Sequence, residues 1–314
     1  MQPIVTHSKL TYLCIKIYPV IMELLIVSSL YSVHRWQHKI LKLLMDLLNM
    51  ESIEFEPYFY KKNAQQQSLF KLLKLRIVLI LPSTFILIVL IYLGNISSIY
   101  FANICLGRTV VTSVAFLLFV VIWQIWQFSL KMQISLEYLL HHPRPMPMQL
   151  QKILHIQRIF YRLIDTINEL NIIFKYPIFL CIIHVVNHTC FTSYMLIRVI
   201  FGEPLIKFTS KTYICVALLN VMELFEVYSL AKLSSLANKH IETILNILRY
   251  PTLNRDSVDR CNEWFSLQLC AQNINISVFG ICTIDLKLVF SIIANIILLV
   301  IYMVQSDYIF MSTV

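Results

Sequence analysis

The chain has 314 residues, 58% of them hydrophobic and only 14% charged, with a mean hydropathy of +0.71 and a formal net charge of +9. That balance is far from the globular average, and the apolar residues are gathered into blocks instead of being dispersed, which excludes an ordinary soluble domain. The class that remains is an all-α polytopic membrane protein, read as one transmembrane domain over residues 1–314.

A helix rises ~1.5 Å per residue, so about 20 apolar residues cross a ~30 Å hydrocarbon core. Six blocks qualify, at about 11–31, 77–99, 109–130, 177–200, 212–233 and 285–305. The first carries Lys16 and Glu23. A signal peptide is its alternative reading, but those charges break the apolar core and no small-residue cleavage pattern follows.

Lys and Arg are gathered in three connecting segments, with eight in 32–76, six in 131–176 and five in 232–280, together 19 of the 26. The positive-inside rule then predicts cytoplasmic loops at 32–76, 131–176 and 234–284, with both termini outside. The excess charge is thus a topology signal. The basic residues form no single patch, so no nucleic-acid partner is expected.

Two of these loops carry helical patterns. Three prolines at every second residue in His141-His142-Pro143-Arg144-Pro145-Met146-Pro147 predict a turn. After it, Ile153, Ile156, Phe160, Leu163, Ile167, Leu170 and Phe174 recur at steps of three and four, placing one apolar seam on a helix with Lys152, Arg158, Arg162, Asp165 and Glu169 away from it. Leu230, Ala237, Ile241, Ile244 and Leu248 continue the fifth block with a similar stripe until the Arg249-Tyr250-Pro251 turn. A further helix over Cys261 to Ile276 is expected to lead back to the membrane.

Enzymatic chemistry has little support. The eight cysteines form no CxxC pair, and a free thiol inside a span behaves as a small apolar group. His34 and His38 sit at i, i+4 without an accompanying carboxylate pattern. No GxSxG, HExxH or phosphate loop is present, so no enzyme, metal or cofactor is expected. Glu223 and Glu226 are the polar residues that stand out. Three residues apart, they share a helix face in the fifth block, where a bare charge is costly and needs water, a proton or a cation. They read as a vestibule pair or as the partner of an interhelical Lys or Arg.

The last block ends in Gln305, Ser306 and Asp307, which either meet headgroups and water or serve a purpose within the membrane. Ile284-Asp285-Leu286, the apolar helix after it and the terminal Gln305 together resemble the C-terminal signature of the insect gustatory receptor family, which reads Thr-Tyr, five apolar residues, Gln-Phe. Gln305 takes the Gln position and Val300 to Val304 the five apolar places, while Leu298-Leu299 replace Thr-Tyr and Ser306 replaces Phe. The order of spans and long loops from residue 11 onward is also similar to that family. Its members have seven spans, so the six here correspond to spans two to seven and the chain reads as short at its front.

The resemblance implies a gustatory receptor subunit in the plasma membrane of chemosensory neurons, forming a ligand-gated, non-selective cation channel. Its partners would be a small-molecule tastant, membrane lipid and other receptor subunits in a homo- or hetero-tetramer. The last helix of each subunit would line the pore, with Gln305 near the gate, Tyr302 one turn earlier, and Ile301 and Val304 as its apolar part. A ligand cavity in the outer halves of the spans would draw on Tyr100, Phe101, Thr112, Phe116, His188, Phe191, Tyr194 and Asn220. The alternatives are a G-protein-coupled receptor of conventional orientation and a secondary transporter. The charge bias opposes the first, and no internal repeat or broken span supports the second.

Overall fold

The computed structural model describes residues 98–141, 146–201, 210–249 and 275–313 except 281, with scattered residues between 17 and 74 and between 263 and 267. Nearly all of the predicted 77–99 span and most of the 32–76 loop lie outside the described residues, as do most of the predicted 261–276 helix and the turn after Arg249. Within the first predicted span, residues 23–31 are helical and Leu25 is fully buried.

Four helices carry the architecture: α1 (Ser98–His141), α2 (Met146–Ile200), α3 (Ser210–Arg249) and α4 (Leu286–Thr313). All four are long and apolar enough to cross a membrane, and the described chain is otherwise helical but for one two-stranded hairpin. With 44, 55 and 40 residues, α1 to α3 extend about 65, 80 and 60 Å, at least twice the hydrocarbon thickness, so part of each projects beyond the bilayer.

The projecting part can be recognised by its charge. Along the first half of α2, every member of the predicted seam from Ile153 to Phe174 is buried, whereas Arg158, Arg162, Asp165 and Glu169 are exposed. From Ile156 onward this seam joins Leu118 to Leu136 of α1 and Ala231 to Ile244 of α3 in one hydrophobic core, while Ile153 pairs with Leu139 of α1 in a separate small cluster. Trp123 and Trp126 anchor it, their ring centroids 5.4 Å apart. His240 of α3 reaches across to Gln133 of α1 at 2.7 Å, and Gln133 donates in turn to Glu137 at 2.8 Å. The side chain of Leu248, predicted to end the α3 stripe, lies outside the described residues.

The predicted Pro-rich break holds, since α1 ends at His141 and α2 begins at Met146. Pro147 falls in the first turn of α2, where a missing N–H has no helical partner to lose. The seam helix and the segment of the fourth predicted span form one continuous helix, with Pro177 inside it. A proline there removes a single backbone bond, and the buried stripe on both sides keeps the helix in register.

Between α3 and α4 the chain forms a hairpin of β1 (Ser277–Val278) and β2 (Cys282–Thr283), pairing Ser277 with Thr283 and Val278 with Cys282. Its turn takes Phe279 and Gly280 into positive φ, at 55° and 70°. Asn171 of α2 holds the hairpin from one side, donating to the Asn275 carbonyl at 3.1 Å and accepting from the Ser277 N–H at 3.0 Å. Phe279 stacks edge-on between Tyr176 and Phe179 of the same helix, at 5.2 and 5.5 Å. Asp285 then caps α4, its carboxylate accepting from the Leu288 N–H at 2.9 Å.

Candidate functional site

A polar ladder crosses the apolar interface of α2 and α3. His184, His188 and Thr192 fall at successive four-residue steps on α2, so they share one face, with the rings of His184 and His188 stacked at 5.6 Å. On α3, Asn220 and Glu223 are three residues apart and face them. His188 Nδ1 lies 2.8 Å from Glu223 Oε2, and the Asn220 amide donates to the Thr192 hydroxyl. Thr192 donates onward to the His188 carbonyl at 2.7 Å, closing the ladder on the α2 backbone.

A histidine thus stands opposite Glu223, whereas the interhelical alternative of the two sequence readings named a Lys or Arg. Glu223 is also almost fully buried, at 3% exposure, so the pair sits in a low-dielectric setting where an unpaired carboxylate would be costly. Together with Glu226 it forms part of the wall of a cavity of about 50 Å³ between α1, α2, α3 and the first turn of α4. Apart from these carboxylates and the Cys181 thiol, the wall is hydrocarbon, including Val114, Leu118, Ile178 and Leu230. A cavity of that size has room for water, although its surface is almost wholly apolar and Glu223 turns Oε2 to His188.

The other expected ligand residues are dispersed. Thr112 and Phe116 of α1 and Phe191 of α2 are half-buried. Tyr194 is fully buried in the contact of α2 with α4, among Cys190, Ile292, Ile296, Val300 and Met303. Tyr100 and Phe101 lie in the first turn of α1, and their side chains are outside the described residues. Several hydroxyls bond their own helix: Ser129 donates to the Ile125 carbonyl and Thr166 to that of Arg162, both at 2.8 Å.

On α4 a single stripe is buried, through Val289, Ile292, Ile296, Val300 and Met303. The expected gate residues Ile301, Tyr302 and Gln305 are exposed, Tyr302 at 62%, while Val304 is half-buried against the α2 contact. Two exposed polar residues that the sequence reading passed over, Ser291 and Asn295, lie on the same outward half of the helix. Their signal was available, since an amide in the middle of an apolar run is as costly as one at its end. Asn171 was missed as well, and nothing in its surroundings marked it.

The chain matches the family model described as 7tm chemosensory receptor over residues 4–310. It is similar to the Drosophila melanogaster protein named "Putative gustatory receptor 85a", with 25% identity over 288 residues that span 90% of this chain and 72% of that protein. Among solved structures it is similar to the insect olfactory receptor OR5 from Machilis hrabei in complex with eugenol, with a TM-score of 0.48 and 14% identity, covering 94% of this chain and 68% of the other.

Proposed function

The chain belongs to the 7tm chemosensory receptor family, a membrane-embedded multi-pass family, and from that membership we propose that it is a gustatory receptor subunit whose binding of a small-molecule tastant opens a weakly selective cation pore. Four subunits, of this chain alone or with relatives, surround the pore and each contributes α4. The observation that carries this reading is the asymmetry of α4. One stripe packs on α2, and the opposite face of an otherwise apolar helix turns Tyr302 and Gln305 outward. A tyrosine and an amide on the unpacked face suit a helix that lines a water-filled channel.

In this reading the projecting halves of α1 to α3 form a cytoplasmic bundle, the three long loops are cytoplasmic and the C-terminus is extracellular. Six spans at the expected boundaries make up the one transmembrane domain. Gln305, Tyr302, Ile301 and Val304 form the gate region. The α2–α3 ladder, with His188 and Asn220, borders the tastant cavity together with Thr112, Phe116, Phe191 and Tyr194. Glu223 and Glu226 hold cations or water in the inner cavity.

The test is to express the full chain, alone and with family partners, carrying a C-terminal epitope. Labelling of the epitope in intact cells and tastant-evoked cation current that changes with Gln305→Ala support the reading. An epitope reached only after permeabilisation, with surface delivery confirmed, overturns the topology and favours a G-protein-coupled receptor of conventional orientation.

A further inference from the structure

We propose that Asn295 is a second ion-coordinating position on α4, about 15 Å from Gln305 toward the hairpin end, and that it sets the preference of the pore for cations over anions. This rests on the pore reading above and goes beyond it. At ~3.6 residues per turn, Lys287, Ser291, Asn295, Leu298, Tyr302 and Gln305 all fall on the half of α4 turned away from the buried stripe. Asn295 is exposed near the middle of the apolar segment Leu286–Ser306, where an amide facing hydrocarbon is costly.

The orientation of that amide decides its chemistry. Asn295 Nδ2 donates to the Ser291 carbonyl at 2.9 Å, with Ser291 Oγ at 3.5 Å as a second neighbour. A backbone carbonyl only accepts, so the NH2 group must be the end that turns back along the helix, and the assignment of N and O is not interchangeable. The Oδ1 oxygen is the end left to face outward. Asn295 therefore presents an acceptor to whatever occupies that face. Repeated around a closed ring of subunits, such oxygens replace part of a cation's hydration shell and disfavour an anion, as rings of carbonyls do in selective pores. Among the described hydrogen bonds Gln305 has no comparable tie, so its amide can turn either end to an ion. The two positions then have separable roles, with charge preference at Asn295 and gating at Gln305.

The experiment is the reversal potential of tastant-evoked current under dilution of external sodium chloride. The full chain is compared with Asn295→Leu, Asn295→Asp and Asn295→Ser, with surface amounts measured for each. Loss of the oxygen in Asn295→Leu is expected to lower the cation-to-anion permeability ratio about fivefold, the equivalent of one ordinary hydrogen bond. Asn295→Asp is expected to raise the ratio, and Asn295→Ser, which fits even where Leu does not, to lower it. Wild-type reversal potentials in Asp and Ser variants that reach the surface overturn the proposal while leaving the pore reading intact. A wild-type chain at the surface that passes no current with any partner overturns the pore reading, and the role of Asn295 with it.

Discussion

A carboxylate at the depth of Glu223 needs a partner, and α2 supplies it in His188 at 2.8 Å. The expected consequence is a mismatch between single and double substitutions. His188→Leu removes the imidazole beside the buried Glu223 and Glu223→Leu removes the carboxylate beside His188, so each lowers the thermal midpoint of the purified protein. The double Leu variant recovers most of that loss, because polar pairs between membrane helices contribute on the order of 1 kcal/mol beyond their apolar replacements. Additive losses in the double variant sink the pairing. The position of Glu223 was legible from its spacing to Glu226 and its apolar neighbours, but its partner was not. The Lys or Arg alternative had little to draw on, since the 177–200 block holds only Arg198, ten residues past His188, and the vestibule alternative named no partner. Which turn of α2 lies opposite which turn of α3 is a property of packing that neither helix records by itself.

The hairpin and the cap of α4 act at the level of elements. Ser277–Val278 and Cys282–Thr283 are too short for an alternating pattern to register, and Asn171, which holds them, lies more than a hundred residues earlier. Hence the sequence pattern predicts a 261–276 helix leading straight to the membrane and carries no sign of the joint before α4. Its parts are testable. Asp285→Ala removes the carboxylate bonded to the Leu288 N–H and is expected to cost about 1 kcal/mol, read as faster amide exchange in the first turn of α4. Asn171→Leu removes two bonds to the hairpin and is expected to speed exchange at Ser277 with little change beyond Val289. Equal acceleration along the whole of α4 in Asn171→Leu contradicts a local joint. The periodic elements behaved differently: the seam from Ile153 to Phe174 and the break before Met146 were readable because a three-four repeat and clustered prolines are local signals. α2 continues through Pro177, where the buried stripe on both sides outweighs the one backbone bond that the proline removes.

At the scale of the whole molecule, helix lengths of about 60 to 80 Å against a ~30 Å core require a second folded region outside the bilayer, and its stability must come from a water-facing hydrophobic core. In the proposed topology that core is the part of the α1–α2–α3 cluster built on the α2 seam, with Leu163, Ile167 and Ile244 fully buried, and the same cluster continues through Val114, Ile178 and Val289 into the expected spans. Inside a membrane, lipid is as apolar as leucine and burial between helices gains little; outside it, each buried leucine carries its full transfer free energy. The two regions should respond differently to the same kind of truncation. Leu163→Ala in the projecting bundle is expected to cost about 2–5 kcal/mol, whereas Arg162→Ala, one position round on the exposed face, should change stability by only about 0.5 kcal/mol. Limited proteolysis of the purified full chain distinguishes the two, since opening of the bundle exposes the 146–175 segment to protease while the spans stay shielded by detergent. Indistinguishable cleavage of the two variants would place the seam against lipid as an interfacial helix instead of in a bundle. Early cleavage in Leu163→Ala alone means that the projecting halves of α1, α2 and α3 hold one another in water, independently of the membrane that holds the rest.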